Sequence, residues 1–289
     1  MDKEAKNMYE IVKKHEIGYS IYDYEIYAPD VAISAKAGQF IIFRINSMGE
    51  RIPITIVETK PEKGLVRIIF QKIGKSTFQL ASLNKGDYIR DFLGPLGNPT
   101  KIKKYGNVVV IGGGIGVAGI LSIVKEFKKI GNTIIIVVGA RSKNLLILES
   151  ELRQYSDSIF FATNDGSYGI KGFVTDILKD IVSKNKIDIV YAIGPVIMMK
   201  AVSEFTKKKC IKTIVSLNPI MLDGTGICGA CRVTVAGETK FVCVDGPEFD
   251  AHSVNWNELY FRLESFKYSE KISLDRFKQH MGCVDVKKK

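Results

Sequence analysis

The chain has few histidines, no long apolar run and no dense block of like charge, and each shortage removes a class of function. His15, His252 and His280 are the three histidines in 289 residues, and none stands at a metal-ligand spacing from another. Serine and cysteine hydrolase signatures are missing too, so triad chemistry is not written here. The longest uninterrupted apolar stretch, 134–138 with its neighbours, falls far short of the roughly 20 residues that cross a bilayer. No membrane span is expected. The start, MDKEAKNMYEIVKKHEIG, is charged and lacks the apolar centre of a secretion signal, which places the protein in the cytoplasm. Its first seven residues read as an extended start. The net charge of +11 comes from scattered lysines, with short runs only at 207–209 and 287–289. Such scatter is not a nucleic-acid footprint; it leaves a solvated lysine surface, or a basic face for an acidic redox protein.

What is present is the balance of a globular protein, 46% hydrophobic and 25% charged, in a length that suits two domains and a small appendage. Short β-rich runs at 39–45, 52–58 and 65–71, separated by Gly, Pro and Asn turns, predict an antiparallel barrel between about 18 and 100. Within it, GKSTFQLASL (74–83) reads as a short helix capped by Ser76 or Thr77, whose start would be an anion site. After residue 100 the rhythm becomes strand, helix, strand. Strands are predicted at 107–111, 133–138, 158–162, 187–193 and 212–217, with helices near 116–130, 146–154, 172–184 and 196–207. That alternation implies a parallel sheet wrapped on both faces. The fold class is therefore α/β plus β: an antiparallel barrel (1–100), a parallel-sheet nucleotide-binding domain (101–218), and a small C-terminal subdomain and tail (219–289). In the last, VTV and KFVCV are expected to pair as a hairpin, and a polar, partly helical tail with a packing or interface role follows from about 255.

Three of the five cysteines fall within sixteen residues, while Cys210 and Cys283 stand apart. In a reducing compartment a tight group reads as a cofactor site before it reads as disulfides. The segment DGTGICGACRVTVAGETKFVC gives Asp223-x4-Cys228-x2-Cys231-x11-Cys243. Plant-type 2Fe-2S sites use C-x4-C-x2-C and a distant fourth cysteine, and here the first position is Asp. Gly224, Gly226 and Gly229 supply the tight backbone that wrapping a cluster needs. Three buried cysteines beside an Asp-Gly turn, or a structural zinc site, are the competing readings. If Asp223 is a ligand, its oxygen tunes the cluster, and Asp223→Cys should shift the reduction potential or its pH dependence.

Three further segments carry binding signals. In VVVIGGGIGVAGI, Gly114-x-Gly116-x-x-Gly119 follows a strand and opens a helix, so that Gly113, Gly114, Ile115 and Gly116 can approach a pyrophosphate. The acidic residue expected after the next strand is replaced by Gly139-Ala140-Arg141-Ser142, and Arg141 is either a partner for a 2′-phosphate or a solvated loop residue. On the barrel, ERIPITI and IFQKIGKST offer backbone groups and Thr55 to a planar polar ring, with phosphate at the helix near Ser76. At strand ends, Asn164 and Asp165 on one side and Gly194, Pro195 and Met198 on the other stand where α/β ligands bind, although a turn and a core methionine are the plainer readings.

Together the barrel strand, GGGIGVAG, TNDGSYGIKGFVTDIL, GPVIMMKAV and CGAC…CVDGPEFDAH resemble one group of the ferredoxin-NADP reductase superfamily. These are the small subunits of NADH-dependent ferredoxin:NADP oxidoreductase, relatives of the electron-transfer subunit of dihydroorotate dehydrogenase. The resemblance covers roughly 8–256. It implies FAD on the barrel, NAD(H) on the parallel domain, and a C-terminal 2Fe-2S cluster held by Asp223, Cys228, Cys231 and Cys243. Ile52, Pro53, Ile54, Thr55, Ile69, Phe70, Gln71, Gly74, Ser76 and Thr77 would surround FAD, with Thr55 at the reacting ring. The superfamily usually sets Arg three residues before the Ser or Thr, whereas Arg51 stands four before Thr55 and points to the other strand face. In this group NADP(H) binds the large subunit, which moves Arg141 toward a solvated role. The resemblance implies a larger flavin and iron-sulfur partner, ferredoxin served through the complex, and electron bifurcation. Dihydroorotate oxidation is the alternative, and Asp223 separates the two, because the dihydroorotate subunits generally show four cysteines.

Overall fold

The computed structural model describes residues 8–286, with side chains described through 279. The expected extended start, the lysine run 287–289 and the side chains of His280 and Cys283 lie outside the described residues. The first unit holds β1 (Tyr9–Gly18), β2 (Ile21–Tyr27), α1 (Pro29–Ser34), β3 (Phe40–Arg44), β4 (Ile52–Lys60), β5 (Leu65–Gln71), α2 (Lys75–Ser82), β6 (Tyr88–Ile89) and β7 (Asp91–Leu96). Its sheet runs β6-β1-β2-β5-β4-β3-β7, antiparallel throughout. One residue separates β6 from β7, and this near-continuous run pairs first with β1 (Ile89 opposite Tyr9) and then with β3 (Asp91 opposite Arg44). The two ends of the sheet are thus one stretch of chain, and the barrel closes there.

Period-2 alternation builds the barrel core: on β2, Tyr22, Tyr24 and Ile26 are buried while Asp23 and Glu25 point the other way. The barrel starts earlier than the expected residue 18, because β1 is a full strand. Its polar run KKHE hides the alternation, and even the half-buried Lys14 is polar-tipped, donating to the Ala81 and Leu83 carbonyls at the end of α2 (2.8 and 2.7 Å).

The second unit comprises β8 (Asn107–Gly113), α3 (Gly116–Lys129), β9 (Thr133–Ala140), α4 (Glu149–Gln154), β10 (Ser158–Thr163), β11 (Ile170–Lys171), α5 (Val174–Lys184), β12 (Ile189–Ile193), α6 (Val196–Lys208) and β13 (Thr213–Ser216). The sheet order is β11-β10-β9-β8-β12-β13-β16, parallel except for the last strand, β16 (Glu248–Asp250). Both faces of β8 are covered, so Val108, Val109, Val110 and Ile111 are all fully buried. From β8 the chain steps outward to β9 and β10, then returns to lay β12 on the other side. This is a topological switch point, the place where such sheets bind ligands.

The remainder is a hairpin of β14 (Arg232–Val235) and β15 (Glu238–Phe241), α7 (Val242–Asp245), the edge strand β16, α8 (Trp256–Glu264) and α9 (Lys267–Val286). Ala236 and Gly237 make the two-residue turn, both at positive φ (52° and 81°) as the twist of a tight hairpin demands. The expected second strand KFVCV is cut short after Phe241. The Asp245 carboxylate accepts a hydrogen bond from the Phe241 backbone N–H at 2.6 Å, and Cys243 sits on a helical turn instead.

The units share cores. Ile21, Val57 and Ile69 of the barrel pack with α3, β8 and β9, while Phe40 and Ile42 pack with the other sheet face, Cys231, Cys243 and Trp256. Among the described residues no helix is long and apolar enough to cross a membrane.

Candidate functional site

Where the barrel meets the carboxyl ends of the parallel strands, a cavity of about 970 Å³ opens. That is the upper range of small-molecule and cofactor sites. Its barrel wall is β4 and β5, through Ile52, Pro53, Ile54, Thr55, Ile69, Phe70 and Gln71, with Thr77 from α2. The opposite wall is the switch point: Gly113, Gly114, Ile115 and Gly116 between β8 and α3, Arg141 after β9, Asn164 after β10, and Gly194, Pro195 and Met198 after β12. These residues, expected from separate stretches of the sequence, face one space.

The glycines have different reasons to be glycine. Gly114 takes a left-handed φ of 54° with nothing near its absent Cβ, so the loop there is open to a ligand. A Cβ on Gly116 would lie 2.4 Å from the Ile193 carbonyl oxygen, which forces α3 to start against the end of β12. A methyl on Gly119 would find ordinary space near Thr55, so this last motif glycine tolerates rather than demands close approach.

Four expected contacts do not line the cavity. Arg51 is exposed and precedes β4. Gly74 is the actual N-cap of α2, and Thr77 reaches back to accept from the Gly74 backbone N–H at 3.0 Å. Ser76 is buried but donates to the Glu50 carboxylate at 2.7 Å, so of the two hydroxyls the sequence offered only Thr77 serves the helix start, from the third helical position. Asp165 is exposed and folds onto its own turn, accepting from the Ser167 N–H and hydroxyl at 2.9 and 2.6 Å. These bonds hold its carboxyl below the usual range.

Sequence reasoning missed Ser216, Leu217 and Asn218 at the end of β13, together with Phe173, Ile197, Met221 and Pro247. The strand-end rule that found Gly194 applies equally to residues 216–218.

Met221 and Pro247 lead directly into the cysteine loop. Cys231 and Cys243 are buried with their sulfurs 3.3 Å apart, and the Cys243 N–H donates to the Cys231 sulfur at 3.4 Å. Burial, then the Cys231 thiol, pushes Cys243 up to about 12, so a metal would have to displace a firmly held proton. Cys228 is exposed. The Asp223 carboxylate closes the loop on itself, accepting from the backbone N–H groups of Thr225 (2.9 Å) and Cys228 (2.8 Å). Those bonds lower its pKa, the Thr225 N–H first.

Among the described residues no group of three His, Cys, Asp or Glu side chains converges closely enough to hold a metal. The donor set nevertheless suits iron-sulfur chemistry in kind. Two thiols and a carboxylate share one loop, the Cys243 thiol comes to it from α7 and faces Cys231, and Gly224, Gly226 and Gly229 hold positive φ (77°, 85°, 66°). The loop is braced from two sides. A Cβ on Gly224 would strike Leu96 and Ile42 of the barrel, and Arg262 of α8 donates to the Ala230 carbonyl at 2.9 Å. Arg262 lies in the tail whose packing role was expected, and no motif marks it.

A barrel joined to a parallel nucleotide-type sheet, with a cysteine loop against both, defines a modular oxidoreductase chain. Residues 110–204 match the oxidoreductase NAD-binding domain, and residues 218–255 match the iron-sulfur cluster binding domain of dihydroorotate dehydrogenase B. The chain is 48% identical over 273 residues to the dihydroorotate dehydrogenase B electron transfer subunit homolog of Thermotoga maritima, covering 94% of this chain and 96% of that one. It is 33% identical over 234 residues to the electron transfer subunit of Clostridium perfringens, covering 80% and 92%. A chain solved in work on flavin-based electron bifurcation by NADH-dependent reduced ferredoxin-NADP oxidoreductase superposes with a TM-score of 0.88 at 47% identity, over 93% of this chain and 97% of that one. The chain belongs to the family of dihydroorotate dehydrogenase B electron-transfer subunits.

Proposed function

We propose that this protein is the NAD(H)-linked electron-transfer subunit of a larger complex, with FAD against β4 and β5, NAD(H) on the parallel sheet and a 2Fe-2S cluster in the cysteine loop. One observation carries this reading: the cavity has a barrel wall and a switch-point wall, and Phe40 belongs both to its lining and to the core that contains Cys231 and Cys243. Flavin supplies hydride exchange with a nicotinamide, and the cluster carries the electrons onward singly.

The chain's own residues bind and orient. The backbone around Gly113 to Gly116 admits a pyrophosphate at the start of α3, and its helix dipole favours that charge. Thr55, on β4 opposite Phe40 and facing α3, is the polar side chain that would stand against the reacting ring. Largely apolar walls exclude water from the transfer. In the loop, Cys228, Cys231, Cys243 and Asp223 would be the ligands. This requires the Cys228 thiol and the Asp223 carboxylate to turn inward from the positions described above. Arg141, exposed at the cavity edge, has a solvated role.

The partner in this reading is a larger flavin and iron-sulfur subunit, and ferredoxin is served through the complex in an electron-bifurcating NADH-dependent ferredoxin:NADP oxidoreductase. The 47% identity with the oxidoreductase chain and Asp223 in place of a first cysteine support that assignment, while the 48% and 33% identities with the T. maritima homolog and the C. perfringens subunit keep dihydroorotate oxidation as the second reading. The free thiols at Cys210, Cys228, Cys231 and Cys243 suit a reducing cytoplasm. The test is to purify the chain with its large subunit and assay NADH-dependent reduction of NADP and ferredoxin. Dihydroorotate oxidation without NADP activity would overturn the assignment.

A further inference from the structure

Charged side chains that line no part of the cavity cross from the barrel to the parallel unit. Arg67 on β5 is only 11% exposed and uses both edges of its guanidinium. Nε and Nη2 donate to Asp23 of β2 (3.0 and 2.8 Å), while Nη1 and Nη2 donate to Glu151 of α4 (2.7 and 2.9 Å). Beside them Glu58 of β4 lies 3.7 Å from Arg67 and accepts from Lys125 of α3 at 2.5 Å. A planar fork satisfies two carboxylates at once and fixes their directions, which an ammonium cannot do. Burial works against the charge of Arg67, but Glu151 and Asp23 outweigh it, and Arg67 in turn lowers the pKa of Glu151. Arg67 and Glu151 are therefore both charged at neutral pH.

The position of this bridge matters more than its strength. Arg67 and Ile69 stand two apart on β5 and share a face, and Ile69 is part of the barrel wall of the cavity. On the far side, Glu149 of the same short helix α4 accepts from the Tyr168 hydroxyl at 2.8 Å. The Tyr168 backbone is fastened to Thr163, whose hydroxyl donates to the Tyr168 carbonyl (2.7 Å) and accepts from its N–H (3.0 Å). Thr163 ends β10 immediately before Asn164, which lines the opposite wall. An unbroken line of hydrogen bonds and short chain segments therefore joins one wall of the cavity to the other.

We propose that Arg67 is a positioning residue, whose fork on Asp23 and Glu151 sets the spacing between the flavin wall and the dinucleotide wall and so the alignment for hydride transfer. This inference rests on the function proposed above. The step it serves moves a hydride from the reduced nicotinamide to the flavin, leaving the oxidised nicotinamide and a flavin reduced by two electrons. Reacting atoms misplaced by about 1 Å lose on the order of 100-fold in rate. A bridge that only glues the units together would lower thermal stability and leave the transfer rate alone.

The experiment uses the purified complex, loaded with flavin, carrying Arg67→Lys, Glu151→Gln, both together, or Tyr168→Phe. The last cuts the line at its far end without touching the interface, so it remains informative if an interface variant folds poorly. Rapid-mixing absorbance gives the flavin reduction rate at saturating NADH, and hydrogen exchange of the nucleotide-free protein follows residues 149–154 and 163–171. R67K and E151Q are expected to slow reduction about 10-fold or more with a smaller change in the NADH dissociation constant. The double variant should be no slower than the worse single one, since both cut one interaction. Y168F should slow reduction about threefold, and all variants should exchange faster in both segments. Rates for folded, flavin-loaded R67K and E151Q within about twofold of the unmodified complex would overturn the inference. So would unchanged exchange in those segments. If NADH fails to reduce the flavin of the unmodified complex, the proposed function falls and this inference falls with it.

Discussion

The cavity and the cysteine site are adjacent, yet they are held in different ways. The shape of the cavity owes much to backbone. The end of β12 abuts the start of α3 at Gly116, and buried strands fix both walls. The cysteine site is set by side chains instead: Cys231 and Cys243 face each other in a shared core, while Cys228 is exposed and Asp223 bonds to its own loop. The difference is physical. A pyrophosphate site needs backbone N–H groups and room, which folding alone supplies. A cluster site needs deprotonated side chains held against their mutual repulsion, which the bound iron compensates.

The sharpest way to break this comparison is to remove a candidate ligand from the buried half of the cysteine site. Cys243→Ser should abolish the visible cluster bands, with iron content falling to about a tenth or less, while flavin absorbance persists. Loss of both chromophores would mean that the loop is part of the cavity's own framework. Gly116→Ala attacks the other region. With backbone atoms of Ile193 and Gly194 at 2.4 to 2.8 Å from the added methyl, NADH affinity measured by titration should fall about 100-fold. Unchanged affinity would show that α3 shifts easily and that the cavity is not set by backbone contact.

Asp223→Cys sharpens the account of the half that lies in the loop. With the cluster intact, its midpoint potential or the pH dependence of that potential should move, by on the order of tens of millivolts, as carboxylate gives way to thiolate. An unmoved potential would restrict Asp223 to closing the loop through the Cys228 N–H.

The smallest effect belongs to Glu248, on β16 one residue past the cavity, where the Thr100 hydroxyl donates to it at 2.5 Å. Burial lifts this carboxyl from 4.5 to about 7, against the Thr100 bond and the charge of Lys101. Between those values the folded chain holds a proton that the unfolded chain has released. Its stabilising contribution is therefore full below about pH 4.5 and is lost as pH rises through 7. Glu248→Gln should raise Tm by about 2 °C at pH 8 and leave it nearly unchanged at pH 5, read by calorimetry.

Much of this was legible in the sequence where one local rule dominates. The buried parallel strands announce themselves as apolar runs, and the glycine motif lies between a strand and a helix as its chemistry requires. Legibility failed where side chains had two options. Asp165 and Ser76 stand at positions suited to a cofactor but are satisfied by Ser167 and Glu50, choices visible only once the turn and the 26-residue separation are folded together. The strand β1 was hidden by its polar run, in which Lys14 uses its stem in the barrel and its ammonium group at a helix end. Arg67 could not be singled out at all, since its three carboxylate neighbours come from β2, β4 and α4.

The most direct test of the central claim is an anaerobic NADH titration of the flavin- and iron-loaded protein, followed by visible absorbance and by low-temperature paramagnetic resonance. The account predicts that NADH bleaches the flavin and that the reduced-cluster signal then grows without any other reductant. If dithionite reduces the cluster but NADH leaves it oxidised, the cavity and the cysteine loop are not one electron path, and the account is contradicted.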